Sequence, residues 1–234
     1  MKFFFSLLFL LSFPCLLFSQ NPRVGYEIKP NYRKAVMLES LQTAETMSDI
    51  NPGYPKSWIE EEDYISTEIV IGYEGEERIA LGKNEKLNSE QMCVLKQAGI
   101  GTKISVKVNY HAKNAVTQEK VLNTMEFACT VVPKIEANFP QGYDKLRAYI
   151  KETVMDKISQ DKLSQLNLAL IHFVIDEEGK CTNTSIRQSS GDKSIDQLLI
   201  TSLKNMPKWE AAQDDMGKPV KQDFELQVGK EIGC

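Results

Sequence analysis

The sequence predicts an α+β protein: an N-terminal helix with an antiparallel sheet, followed by a smaller α-β-β-α-β unit. Three observations lead there. Stretches that alternate apolar and polar residues recur at hairpin spacing, which pairs neighbouring strands antiparallel. Stripes at helical period fall between them. Prolines and glycines stand where one pattern gives way to another.

Residues 1–19 read as a secretory signal. One positive charge at Lys2 precedes the apolar run Phe3 to Phe18, and Ser19 is the small residue before a cut, so the mature chain would begin at Gln20. Pro14 and several serines interrupt the run, which is shorter than the roughly 20 apolar residues of a spanning helix. An uncleaved anchor is the alternative. Cys15 does not suit a lipid-modified cysteine, because Phe13 and Pro14 occupy places where small residues belong.

Residues 20–133 form the predicted N-terminal domain. A helical stripe of Val36, Met37, Leu41 and Met47 predicts a helix over 31–48, ended by Asn51-Pro52-Gly53-Tyr54-Pro55. Beyond Trp58, the alternation over Ile65 to Tyr73 and the turn Gly72-Tyr73-Glu74-Gly75 predict a hairpin into Arg78 to Leu81. Asn88 and Gln91 have the spacing of a capping box and open a short helix closed by Gly99, with Met92, Val94 and Leu95 facing a sheet. Strands over Lys103 to Tyr110 and Leu122 to Val132 complete the sheet, and Pro133 to Pro140 reads as a linker.

Residues 134–234 form the second unit. A helix over Tyr143 to Ile158 carries Leu146, Tyr149, Ile150, Val154 and Ile158 on one stripe. Asn167 to Ile175 is a strong strand, turned through Asp176 to Gly179 into a weaker one over Cys181 to Ser189. Ser194 and Gln197 predict a second capping box, opening a helix of Ile195, Leu198, Leu199, Leu203 and Met206 that Pro207 stops. In the last strand Phe224, Leu226 and Val228 alternate with Asp223, Glu225 and Gln227.

Several motifs in that unit occur in a familiar order. They are Phe173-Val174-Ile175-Asp176 with Gly179, Ser189-Ser190-Gly191-Asp192, Asp196, Met206-Pro207 with Trp209, Gly217-Lys218-Pro219-Val220, and Phe224 with Leu226. In this order and spacing, residues 133–229 resemble the C-terminal domain of the TonB energy-transducer family. The first helix lacks the Tyr-Pro pair often found in that family, and no proline follows Trp209. The resemblance implies a domain that grasps an extended segment of an outer-membrane receptor.

Topology gives that implication a place. In a wholly antiparallel sheet the last strand cannot neighbour the second, because a helical crossover between neighbours makes them parallel. The order is then second, first, third, and Gln222, Asp223, Phe224, Glu225, Leu226, Gln227 and Val228 form an edge strand with free N–H and C=O groups. Such an edge is a template for strand addition, and Asp223 and Glu225 serve equally well as charges that guard it. Leu170 and Val174, on the outer sheet face with His172, need cover from the first domain or from a second copy of the chain.

No catalytic constellation is evident. His111 and His172 stand alone, and Ser189-Ser190-Gly191 has no base placed with it, so neither catalytic nor metal-binding residues are assigned and no cofactor is implied. The acidic run Glu60 to Asp63 reads as a solvated turn. Trp209 is expected to pack beneath a helix end. A formal charge of −4, with no basic cluster, argues against nucleic acid or anionic lipid as partner. Cys93 and Cys129 could meet if the helix covers the strand, and two buried thiols are the alternative; Cys181 and Cys234 fall at opposite sheet ends, too far apart to bridge.

The expectation is therefore an exported, periplasmic or secreted, non-enzymatic module that binds an extended segment of another protein, such as an outer-membrane receptor, by strand addition. The rival is a TonB-like transducer anchored in the inner membrane, which the signal-like N-terminus and the want of a long Pro-rich spacer disfavour.

Overall fold

The computed structural model describes residues 24–54, 59–73 and 75–230, so the signal expected at 1–19, Trp58 and Cys234 lie outside the described residues. Strands and helices build two large sheets, each with its own core, and a two-stranded ribbon, in a mixed α+β arrangement.

The first sheet has five strands: β2 (Ala35–Met37), β3 (Tyr64–Tyr73), β4 (Glu76–Gly82), β5 (Lys103–Lys113) and β6 (Lys120–Val132). Their order is β2-β6-β5-β3-β4, antiparallel except where β2 runs beside β6. Period-two alternation sends Ile69, Ile71, Ile104, Val106, Val108, Cys129 and Val131 to the buried face. Over that face pack α1 (Leu38–Gln42), α2 (Met47–Ile50) and α3 (Ser89–Leu95). The expected box at α3 is present: Asn88 Oδ1 accepts the Gln91 N–H, and Gln91 Oε1 accepts the Asn88 N–H. Gln91 is fully buried and donates to Thr67 Oγ1 at 3.1 Å, which ties helix to sheet.

The helix expected over 31–48 is not formed. Residues 24–30 are strand β1 (Val24–Pro30), residues 35–37 are β2, and only α1 and α2 are helical. Val36 and Leu41 are buried as expected, but Val36 is buried as part of a strand: the Thr130 N–H bonds the Lys34 carbonyl at 2.9 Å and draws 35–37 alongside β6. Pairing with a distant strand has overridden local period.

The second sheet contains β1, β7 (Ala169–Ile175), β8 (Cys181–Gln188) and β11 (Gln222–Lys230), ordered β1-β11-β7-β8 with every neighbour antiparallel. On its inner face lie α4 (Tyr143–Thr153), α5 (Gln160–Gln165) and α6 (Lys193–Lys204). Burying Ile195, Leu199 and Leu203 of α6 contributes about 1.5–3 kcal/mol each before conformational entropy is charged.

Three details of this unit differ from expectation. The helix expected to reach Ile158 ends at Thr153, with Val154 and Ile158 buried beyond it. Asp192, not Ser194, caps α6: its Oδ1 accepts the N–H groups of Ser194 and Ile195 at 2.7 and 3.3 Å. Residues 133–140 are also no spacer. Ile135 and Asn138 form bridges to Gln213 and Glu210, while Ala137 and Phe139 are buried. Gln213 belongs to β9 (Ala212–Gln213), which pairs with β10 (Pro219–Val220). Phe139 meets Trp209 edge-on with ring centroids 5.4 Å apart, so an aromatic contact anchors the stretch read as a linker.

Candidate functional site: the sheet margins

The predicted binding strand is present, and it is not an edge. Gln222 to Val228 pair with β7 on one side, and β1 pairs with β11 on the other through seven consecutive positions, Val24 opposite Lys230 to Pro30 opposite Phe224. Both rows of backbone groups are therefore engaged. The order of the three predicted strands is as expected; the added neighbour comes from the start of the chain.

The side chains of the strand divide by period. Phe224, Leu226 and Val228 enter the core, where Phe224 stacks on Phe173 at 5.6 Å with an 18° interplanar angle and lies 5.1 Å from Trp209. Gln222 is also buried, and its Oε1 accepts the Ala137 N–H at 2.7 Å. Asp223, Glu225 and Gln227 point to the opposite face. Val24, Tyr26 and Ile28 of β1 alternate inward beside them, with Ile28 buried. That alternation, stopped by Pro30, was the sequence signal for the missed strand.

His172, which stands alone in the sequence, has a partner in the fold. Its side chain is 12% exposed, and Nε2 lies 2.6 Å from Asp223 Oδ1 across the β7–β11 pair. Asp223 also holds the Asn31 N–H through its carbonyl at 3.0 Å, so this pair sits where β1 leaves the sheet. Val174 is buried and Leu170 partly so, with first-sheet residues Ala128 and Thr130 lining the same recess as Leu170.

Ser189 and Ser190, tempting as nucleophiles, serve Asp196. Its carboxylate accepts the Ser189 hydroxyl at 2.6 Å and the Ser190 N–H at 2.8 Å. Burial pushes this carboxyl up, but the hydrogen bonds from Ser189 and Ser190 outweigh it and hold the group below the ordinary aspartate value. Among the described residues no group of three or more His, Cys, Asp or Glu could hold a metal ion. Cys129 is buried, and burial raises its thiol to about 11. Cys93 is exposed, on the face of α3 turned away from the sheet, so the two thiols are both free and only one is buried.

The remaining margins differ in kind. On β8 the register shifts twice against β7, and Asn183 has φ 48°, so this edge is broken by bulges. The outer margin of β1 carries Glu27 and Lys29 on its solvent face and ends in Pro30, which has no N–H to offer. The three-residue β2 offers little length. By contrast β4 pairs with β3 over seven unbroken positions. Asn88 Nδ2 reaches the Leu81 carbonyl at 2.7 Å, so the Leu81 backbone faces away from β3, and by period two so do those of Ile79 and Glu77. Ile79 and Leu81 are 53% and 60% exposed.

Comparison with protein-family models, with curated proteins and with solved structures gives no match for this chain. Among the described residues no helix is long and apolar enough to cross a membrane, which leaves β-barrel spans unaddressed.

Proposed function

We propose that this chain is an exported, non-catalytic protein-binding module that takes an extended segment of another protein by strand addition, and that its acceptor is β4. The observation that carries this reading is the unbroken β4 margin, where outward backbone groups coincide with exposed aliphatic side chains at Ile79 and Leu81. Main-chain bonds would supply affinity and alternate side chains selectivity. Glu77 shares a sheet face with Ile79 and Leu81, and Glu68 on β3 lies opposite Leu81, so they favour a segment that presents aliphatic residues and a basic residue at successive alternate positions on that one face. The TonB-like motifs in residues 133–229 support a partner in the cell envelope, with an outer-membrane receptor as the partner class that resemblance implies.

The test is selection of peptides from a displayed random library, followed by amide hydrogen exchange on the complex. Selected peptides are expected to alternate aliphatic and polar residues and to slow exchange at Glu77 and Ile79. Ile79→Lys should abolish binding without unfolding the protein. Protection confined to other strands, or equal binding by Ile79→Lys, would sink the assignment.

A further inference from the structure

A recess of about 1110 Å³ lies between the two sheets. The second sheet presents Leu170, His172, Arg187, Asp223, Glu225 and Gln227 to it. The first sheet presents Lys103, Glu126, Ala128 and Thr130, and the segment joining β1 to β2 adds Arg33 and Lys34.

Its charge is opposite to that of the molecule. The chain carries a formal −4, yet six lysines and arginines line the recess against three carboxylates. Each carboxylate already has a donor: Asp223 has His172, Glu126 has Lys107 at 3.7 Å, and Glu225 takes the Gln227 amide at 2.7 Å. Arg33, Lys34, Lys103 and Arg187 have no carboxylate partner among the described residues. Cations gathered in a recess with low-dielectric walls concentrate field and attract anions from solution.

The layout favours a chain over a compact anion. No lining residue belongs to a helix, so no helix N-terminus opens on the recess to cradle a phosphate. The four cations without a carboxylate partner come from three separate places, β5, β8 and the β1–β2 connection, rather than from one loop. The volume exceeds the roughly 300–1,000 Å³ usual for a small-molecule pocket. Mixed polar and apolar walls, with Leu170 and Ala128 among them, suit a polypeptide with interspersed side chains.

We infer that the recess between the two sheets binds an acidic extended polypeptide segment, with Arg33, Lys34, Lys103 and Arg187 holding its carboxylates. This site is separate from the β4 margin and does not depend on it.

The experiment is fluorescence anisotropy of the purified protein with a fluorescein-labelled peptide of alternating glutamate and valine, beside a lysine–valine control. The acidic peptide is expected to bind, with affinity falling steeply as salt rises, and the basic control is not. The double variant Lys103→Glu, Arg187→Glu should bind about tenfold more weakly or worse, a loss of about 1.4 kcal/mol, while its thermal midpoint stays near the parent's. Ile79→Lys should leave this binding unchanged, so failure here and failure at β4 are told apart. Undetectable binding, equal binding by the double variant, or preference for the lysine peptide overturns the inference. So does full competition by inorganic phosphate at millimolar concentration, or by an oligonucleotide of equal charge.

Discussion

Ile28 stands opposite Leu226 in the β1–β11 register, and both side chains are buried in one core. The contact closes the margin of the last strand with a segment from the beginning of the chain. Ile28→Ala should therefore cost about 2–4 kcal/mol, read as a shift in the urea midpoint. Deleting residues 24–30 would bare the β11 backbone, and the truncated protein should self-associate with rising concentration in light scattering. A truncated chain that stays monomeric and equally stable would show that β1 seals nothing.

Asn88 does two things at once, accepting from Gln91 N at 2.9 Å and donating to the Leu81 carbonyl at 2.7 Å. Asn88→Ala should destabilise the protein by about 1–2 kcal/mol. Hydrogen exchange should quicken along α3 and at the Leu81 end of β4, and not in the second sheet.

Gly179 has φ 80°, and a Cβ there would fall on the carbonyl oxygen of Trp209, whose N–H bonds the Gly179 carbonyl at 2.8 Å. Gly179→Ala should cost about 2 kcal/mol or more, since strain in the left-handed region adds to the clash. Near-ultraviolet circular dichroism should change with it, because Trp209 packs among Phe139, Phe173 and Phe224.

Asp196 carries an acid-sensitive contribution. Its folded value lies below the unfolded one, so the stabilisation is present above an ordinary aspartate pKa of about 3.9 and is lost as pH falls through the folded value. Asp196→Asn should be less stable by about 1–3 kcal/mol near neutrality. The gap between variant and parent should close in acid, and a gap independent of pH would contradict the ionised role.

Thiol reactivity should separate the cysteines. Cys93 is exposed, whereas Cys129 is 3% exposed with its thiol raised to about 11. Iodoacetamide on the native protein, followed by peptide mapping, should modify Cys93 early and Cys129 only after unfolding.

Where the chain carries its own punctuation, the sequence was readable. The box at Asn88 and Gln91, the hairpin of β3 and β4, and the helical pair Leu146 and Ile150 depend on neighbours within a few turns, and all are present, although α4 ends at Thr153 and leaves Val154 buried beyond it. What failed depends on partners far away. Val36 fits a helical stripe equally well until β6 claims residues 35–37, and Val24, Tyr26 and Ile28 alternate over too short a run to outweigh the helix expected after them. The open-edge expectation for Gln222 to Val228 failed for the same reason, since nothing near residue 225 announces a neighbour two hundred positions earlier. His172 looked solitary because Asp223 is 51 residues away in sequence.

The β1–β11 pairing joins the first described strand to the last, Val24 to Lys230. During synthesis from the N-terminus, residues 24–30 must wait for this partner until residues 224–230 have been made. The second sheet is therefore finished late, and the long search for its final partner should make folding slow compared with a protein of local contacts. A fragment cut at the apparent boundary near residue 133 would lose this strand as well, so the two halves of the sequence are not separable pieces of the molecule.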